Sequence, residues 1–147
     1  MNGYAKKVAL AVLFSALVAP GCIEDLLDLY EPNDTYGEAA DITDASPISA
    51  TFGTDTVDWF KVVTTDDKEF TVTCTPAGSI NDYTVTLYGV GPTWLADDDD
   101  GAISEYAQTV VYTPSGGLGD PVTYYIEVVY SGAADVEVYG LLWETAP

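Results

Sequence analysis

The sequence predicts an all-β protein that folds as a single domain, an antiparallel β-sandwich. Short strand-like runs recur along the chain, and residues that favour turns stand between them. After the N-terminal 21 residues, no apolar segment with the 3.6-residue period of a helix reaches helical length. About 125 residues follow that point, which is long enough for one hydrophobic core.

Residues 1–21 are predicted to be a secretory signal peptide, so we expect the protein to be exported. Lys6 and Lys7 precede the apolar run VALAVLFSALVA, and the small-residue break PGC follows it. This run is shorter than the roughly 20 residues that a membrane-spanning helix needs. A cleaved signal is therefore favoured over a transmembrane segment.

The residues around Cys22 resemble a bacterial lipoprotein processing site, in which a small residue precedes a cysteine that receives lipid. Gly21 and Cys22 fit this pattern, whereas Ala19 stands where lipoproteins usually carry leucine. Ordinary signal cleavage after Ala19-x-Gly21 is the alternative, and both routes would cut before Cys22. Lipid on Cys22 would anchor the protein to a membrane through the tether of residues 22–30.

The expected location depends on that lipid. Ile23 and Glu24 follow Cys22, so the chain lacks the aspartate that retains some lipoproteins at the inner membrane. A lipidated protein is therefore expected at the outer membrane or cell surface, and an unlipidated one would be secreted.

The first segment after the tether, EPNDTYGEAADI at 31–42, groups oxygen-bearing side chains before any strand pattern begins. One interpretation is a cap on a short helix: Thr35 and Glu38 have the spacing of a capping box, and Asn33 or Asp34 could serve as the cap. The other is half of a cation site. Both interpretations stay open at this level.

The strand runs that follow are defined by alternating apolar and polar side chains. PAGSIND and PSGGLGDP, which stand between runs, supply the Gly, Pro, Asn and Asp that turns require. The predicted runs, in chain order, are ISATF (48–52), DWFKVVT (58–64), EFTVTCT (69–75), YTVTLYG (83–89), AQTVVYT (107–113), TYYIEVVY (123–130) and VEVYGLLW (136–143).

Within TYYIEVVY, the charge of Glu127 predicts which face of the strand meets solvent. Tyr125 shares that outward face and is our candidate surface contact for an extracellular protein or polysaccharide. The alternation assigns Tyr125, Glu127 and Val129 to the outside, and Tyr124, Ile126, Val128 and Tyr130 to the inside.

Cys74 is the other cysteine of the chain, and it lies in the alternating run FTVTCTP. Its spacing from Phe70 and Val72 places it on the apolar face of a strand, which predicts a small core residue. A Cys22–Cys74 disulfide is the alternative if Cys22 receives no lipid.

The charge balance is strongly acidic. Without Lys6 and Lys7, two lysines would face 24 acidic residues, a net charge of −22. Such a field repels nucleic acid and anionic lipid headgroups and attracts cations, so no nucleic-acid partner is expected. Solubility in an acidic or saline exterior explains the same charge equally well.

Residues for catalysis are scarce, and we expect the protein not to be an enzyme. The sequence contains neither histidine nor arginine, which excludes Ser-His-Asp and Cys-His arrangements and bidentate anion clamps. The acidic run ADDDDG at 96–101 does not fit an EF-hand, because Ala96 and Ala107 would occupy ligand positions. It predicts a solvated loop after a short strand, WLA.

Several motifs together resemble the bacterial pre-peptidase C-terminal domain, often found behind secreted peptidases. EPNDTYGEAADI, GTDTVDWFKV, DYTVTLYGVG, WLADDDDG, TYYIEVVY and VYGLLW follow one another in that family's order. The resemblance covers Glu31 to Trp143 and implies a domain over 31–147. It also implies a β-sandwich of jelly-roll type, related to the collagen-binding domains of clostridial collagenases.

The resemblance further implies a calcium site, since several members bind Ca²⁺ near the opening segment. The matching positions here are Glu31, Asn33, Asp34, Asp55 and Asp58. Clustered Asp, Glu and Asn side chains supply the oxygens that Ca²⁺ prefers. The family usually writes Asp-x-Asp before Trp-Phe, whereas this chain carries its first aspartate one place earlier, at Asp55.

The sequence thus predicts a non-catalytic exported lipoprotein whose β-sandwich, stabilised by calcium, binds or presents a partner at the cell surface. One alternative is an adhesion module that binds carbohydrate or protein without a metal. The other is an accessory domain that helps a secreted peptidase to fold or to be sorted.

Overall fold

The computed structural model describes residues 29–53, 55–65, 68–77, 83–98, 107–114, 120–132 and 138–147. In these ranges the chain forms a 3₁₀ helix, Tyr36–Glu38, and nine strands. The strands are β1 (Ala40–Asp41), β2 (Ile48–Thr51), β3 (Val57–Thr64), β4 (Phe70–Pro76), β5 (Tyr83–Gly89), β6 (Thr93–Asp98), β7 (Gln108–Tyr112), β8 (Val122–Tyr130) and β9 (Val138–Thr145).

The strands form two sheets that pack through their apolar faces. The first sheet has the order β1-β3-β8-β5-β6, and the second has the order β2-β9-β4-β7. The two-residue β1 runs parallel to β3, and the other pairings among the described strands are antiparallel. Phe70 of β4 stacks on Tyr124 of β8 across the interface, with ring centroids 4.9 Å apart. The predicted all-β sandwich is confirmed.

Each predicted strand run overlaps one strand, and the run 83–89 coincides with β5. The sequence does not predict β1, because two residues are too few to show an alternating pattern. The short WLA strand is part of the longer β6. The short helix that one interpretation of EPNDTYGEAADI predicts is a single 3₁₀ turn, Tyr36–Glu38.

The orientation predicted for β8 is confirmed. The structure buries Tyr124, Ile126, Val128 and Tyr130 in the core. The intervening Tyr125, Glu127 and Val129 are partly exposed on the opposite face. A single charged residue in an otherwise apolar run was enough to orient the strand.

Cys74 is a core residue, as predicted. Its side chain is fully buried and its thiol is free. Burial, with a smaller contribution from the negative charge of Asp58, raises the pKa of the thiol to about 12. A thiol in this environment stays protonated and unreactive at neutral pH.

The predicted signal peptide (1–21), the lipidated Cys22 and the tether up to residue 28 lie outside the described residues. Among the residues described, no helix is both long enough and apolar enough to cross a membrane.

The N-terminal segment, residues 29–42, lies along β3 and is held there by backbone hydrogen bonds. The Trp59 N–H donates to the carbonyl of Asn33 over 2.7 Å, and the Ile42 N–H donates to the carbonyl of Lys61 over 3.0 Å. Ile42 is fully buried, and its carbonyl accepts the indole N–H of Trp143 over 3.0 Å. These contacts fix the opening EPNDT residues beside the start of β3.

Candidate functional site

A tight turn between β2 and β3 brings Asp55 toward the N-terminal segment. The Asp55 N–H donates to the carbonyl of Phe52 over 3.0 Å, and Phe52 itself is buried in the core. Gly53 has a φ of +56°, a left-handed conformation that glycine adopts at low cost. A Cβ added at Gly53 would lie 3.8 Å from Oε1 of Glu31, so the turn and the opening segment are immediate neighbours.

Three of the predicted ligands converge there and form what we call the acidic triad: Glu31, Asp34 and Asp55. One carboxylate oxygen from each residue lies within 4.8 Å of the other two. Glu31 and Asp34 are exposed, whereas Asp55 is partly buried. The triad joins two segments separated in sequence, which is the arrangement expected of side chains that share one cation.

The two other predicted ligands, Asn33 and Asp58, lie beside the triad and are fully buried. With its amide nitrogen turned toward the acids, Asn33 donates to Oε2 of Glu31 and to Oδ1 of Asp58, both over 3.3 Å. Oδ2 of Asp58 accepts a hydrogen bond from the hydroxyl of Tyr139. Both oxygens of Asp58 therefore accept hydrogen bonds from protein groups. Asp58 is connected to the triad through Asn33, which also donates to Glu31.

The backbone of Asn33 also positions the triad. Its N–H donates to Oε2 of Glu31 over 3.1 Å, so the same carboxylate oxygen accepts from the main chain and from the side chain of one residue. Donors that converge on a carboxylate fix its orientation. Asn33 thus holds Glu31 in place without itself joining the three acids.

Burial and mutual proximity disfavour the ionised forms of Glu31 and Asp55 in the triad. Burial, followed by short contacts with the carboxyl groups of Asp34 and Glu31, raises the pKa of Asp55 to about 8. The pKa of Glu31 is also raised, again mainly by burial. Oδ1 of Asp55 is buried and has no hydrogen-bond partner among the described residues. A proton or a metal ion would relieve this repulsion.

The capping hydrogen bond predicted for Thr35 does not form. Thr35 precedes the 3₁₀ turn, but its side chain makes no capping hydrogen bond to the backbone. Its hydroxyl instead donates to Oε2 of Glu38 over 2.7 Å. Of the two other candidate caps, Asn33 donates its side-chain amide to Glu31 and Asp58, and Asp34 is part of the triad. In EPNDT, Glu31, Asn33 and Asp34 therefore belong to the triad or support it, whereas Thr35 bonds to Glu38.

A second feature is the aromatic surface, defined by Tyr36, Trp59, Tyr88, Trp94 and Tyr125. It covers the outward face of the first sheet. The ring of Tyr36 lies 4.1 Å from that of Tyr125 and 5.6 Å from that of Trp59, and Trp59 lies 5.2 Å from Tyr88 (centroid distances). Tyr125 is thus on the outward face, as predicted, and Tyr36 partly covers it.

Trp94 extends this surface toward β6. It is the register partner of Tyr88 on β5, and 59% of it is exposed. Trp143 does not belong to this surface: it stacks on Phe70 and donates its indole N–H to the loop before β2. The role of Tyr36 could not be inferred from sequence, because nothing in TYGEA indicates which strand the ring contacts.

An open cleft of about 470 Å³ between the N-terminal segment and β3 is lined by Asp41, Thr43, Asp44, Ala45 and Val63. Asp41 forms an ion pair with Lys61 over 3.4 Å and accepts the N–H of Thr43 over 3.1 Å. The pKa of Asp41 is lowered mainly by hydrogen bonds from the side chain and backbone of Thr43. The Asp41 carboxyl is therefore ionised at neutral pH and unsuited to act as a general acid.

No protein-family model matches the chain, and no curated protein matches it.

Proposed function

We propose that the protein is a non-catalytic, exported β-sandwich module whose N-terminal segment is stabilised by Ca²⁺ and that binds or presents a partner at the cell surface. The observation that carries this proposal is the acidic triad, in which three carboxylate oxygens lie within 4.8 Å of one another. Membrane attachment through lipid on Cys22 is part of the proposal and rests on the sequence around that residue.

The type of ion follows from the chemistry of the donors. Glu31, Asp34 and Asp55 offer only oxygen ligands, which suit a hard cation such as Ca²⁺ better than a transition metal. Glu31 and Asp34 come from the N-terminal segment and Asp55 from the turn before β3, so an ion bound to all three would tie the segment to the sandwich. Its role would be structural, and no reaction is assigned to it.

We also propose that the sandwich is of jelly-roll type. The strand order supports this: without β1, the sheets read β3-β8-β5-β6 and β2-β9-β4-β7. Successive strands from β2 to β5 alternate between the sheets, as do those from β6 to β9. Two four-stranded antiparallel sheets connected in this way are typical of jelly rolls.

The test is a calcium titration by calorimetry on the purified protein, with thermal melts in calcium and in chelator. We expect saturable binding and a higher melting temperature in calcium, because a ligand of the folded state stabilises it by about 2.7 kcal/mol at 100 times its Kd. Asp34→Asn and Asp55→Asn should lose the calcium response. Both should also melt higher than the wild type in chelator, because Asp34→Asn removes a repelling charge and Asp55→Asn removes a carboxyl group that must take up a proton on folding.

Asp44→Asn is the matched control. Asp44 is exposed and lies outside the triad, so its variant should keep the wild-type calcium response. Identical melts of the wild type in calcium and chelator, with no binding heat, would refute the calcium role.

An adhesion module without a metal is the second candidate, and the aromatic surface favours it. Large aromatic side chains on the outside of a sheet, one of them 59% exposed, are typical of recognition surfaces. A bound ligand with no calcium effect would support this candidate.

A further inference from the structure

Building on the proposed role in binding at the cell surface, we propose that the aromatic surface binds a neutral polysaccharide. Trp94 would be the main contact, and the rings of Tyr36, Tyr88 and Tyr125 would extend the contact across the sheet.

Two adjacent rows of outward side chains on the first sheet contain most of the aromatic surface. The register aligns Lys61, Tyr125, Tyr88 and Trp94 in one row, across β3, β8, β5 and β6. The same strands align Trp59, Glu127, Thr86 and Asp97 in the next row. Aromatic rings are thus flanked by carboxylate and hydroxyl groups over the width of four strands.

Hydrogen bonds hold two rings of the aromatic surface, those of Tyr88 and Tyr36, in fixed positions. The hydroxyl of Tyr88 donates to Oε2 of Glu127 over 3.0 Å. The hydroxyl of Tyr36 accepts the N–H of Gly91 over 3.0 Å, which attaches it to the turn between β5 and β6. Rings that are fixed before binding lose little conformational entropy when a ligand arrives.

Trp94 is buried to less than half of its surface. Trp59 is almost fully buried beneath its neighbours, but Trp94 exposes 59% of its surface beside Tyr88. Val90, in the same β5–β6 turn region, is 68% exposed. Large apolar side chains that meet solvent next to ordered rings indicate a contact site.

The neighbouring polar groups select the class of ligand. A sugar ring has an apolar face that can lie on an aromatic ring and hydroxyl groups that can donate to Glu127 and Asp97. Lys61, the cation in the two rows, forms an ion pair with Asp41, and the whole chain carries a net charge of −20. An anionic polysaccharide would be repelled by this field, so the surface fits a neutral one.

The test measures retention of the purified protein on insoluble cellulose and chitin, and its retardation in gels that contain soluble mannan or starch. Alginate serves as the anionic probe and gelatin as the protein probe. We expect saturable binding to at least one neutral polysaccharide and none to alginate or gelatin. Trp94→Ala should weaken binding about tenfold or more, as loss of a central aromatic contact does.

Val111→Ala is the matched control, because Val111 is 49% exposed on the outward face of β7 in the other sheet. It should bind like the wild type, and thermal melts should show that Trp94→Ala remains folded. Lack of binding to every neutral polysaccharide, wild-type binding by Trp94→Ala, binding to alginate, or binding to gelatin alone would each overturn the inference.

The same samples separate this inference from the calcium proposal. Polysaccharide binding without a calcium response would uphold the inference and refute the calcium role. A calcium response without polysaccharide binding would refute the inference and uphold the calcium role.

Discussion

Asp58 is a carboxylate at the inner face of β3, and its neighbours explain how an apolar core accommodates it. The side chain is fully buried, on the same face of the strand as Phe60 and Val62. Tyr139 and Asn33 donate to its two oxygens. A buried acid needs such donors, because an unpaired one would cost several kcal/mol. Since Asn33 also donates to Glu31, the core and the acidic triad share one hydrogen-bonded network.

The raised pKa of Asp55 predicts that the stability of the protein depends on pH. The pKa of this residue is raised from 3.8 to about 8, so between these values the folded protein holds a proton that the unfolded chain releases. In chelator, the free energy of unfolding should therefore fall as the pH rises across this window. The raised pKa of Glu31 acts in the same direction. Thermal melts at several values between about pH 5 and pH 8 measure the effect.

Calcium should make the free energy of unfolding depend less on pH, because the ion replaces the proton on the triad. Asp55→Asn should also reduce this dependence, while Asp44→Asn should leave it unchanged. A wild-type melting temperature that stays constant across the window in chelator would contradict the prediction.

The sequence could identify the acidic residues but not their separate roles. All five predicted positions lie in one connected group, yet Glu31, Asp34 and Asp55 converge while Asn33 and Asp58 support them. The spacing of Asp58 from Phe60 and Val62 carried a signal, since period-two alternation places it on the buried face. The convergence of Asp55 depends on the backbone of the turn at Gly53, which sequence alone does not give.

Among the structural elements, the turn between β2 and β3 controls the geometry of the triad. Gly53→Ala should lower the free energy of unfolding by about 1–2 kcal/mol, because an alanine resists the left-handed φ of +56°. It should also weaken calcium binding, because Asp55 lies two residues after Gly53 in the same turn. Urea unfolding and calorimetry measure the two effects.

Gly37→Ala provides the comparison. Gly37 lies in the 3₁₀ turn, and a Cβ added there would meet nothing within 4 Å. If both alanine variants were equally stable, backbone conformation at Gly53 would not be what shapes this turn.

Elements with a long alternating pattern were predictable, and short ones were not. The run of nine residues in β8 shows both faces clearly, so its orientation could be assigned from Glu127. In contrast, β1 has two residues and is held by parallel pairing with β3, a contact that leaves no local pattern. The 3₁₀ turn at Tyr36–Glu38 is likewise fixed by contacts of Tyr36 with Trp59 and Tyr125.

At the scale of the whole molecule, the acidic charge opposes the compact state. The chain carries 24 acidic residues against four basic ones. The melting temperature should therefore rise when NaCl is increased from about 10 mM to about 150 mM, because salt shortens the Debye length from roughly 30 Å to 8 Å.

Tetramethylammonium chloride at the same ionic strength tests whether screening is the cause, because this bulky cation does not fit among three carboxylates. We expect an equal rise in both salts. Stabilisation by sodium alone would instead indicate specific binding of the smaller ion.

The position of the acidic triad has a mechanical consequence for a protein held by lipid on Cys22. A pull on the anchor would enter the domain near Glu31 and reach the triad before it reached β1 or the buried Ile42. A bound ion would link the N-terminal segment, which bears the pulling force, to the turn before β3. Calcium outside the cell would then set the force at which the N-terminal segment is peeled from the sandwich, in addition to its effect on folding at rest.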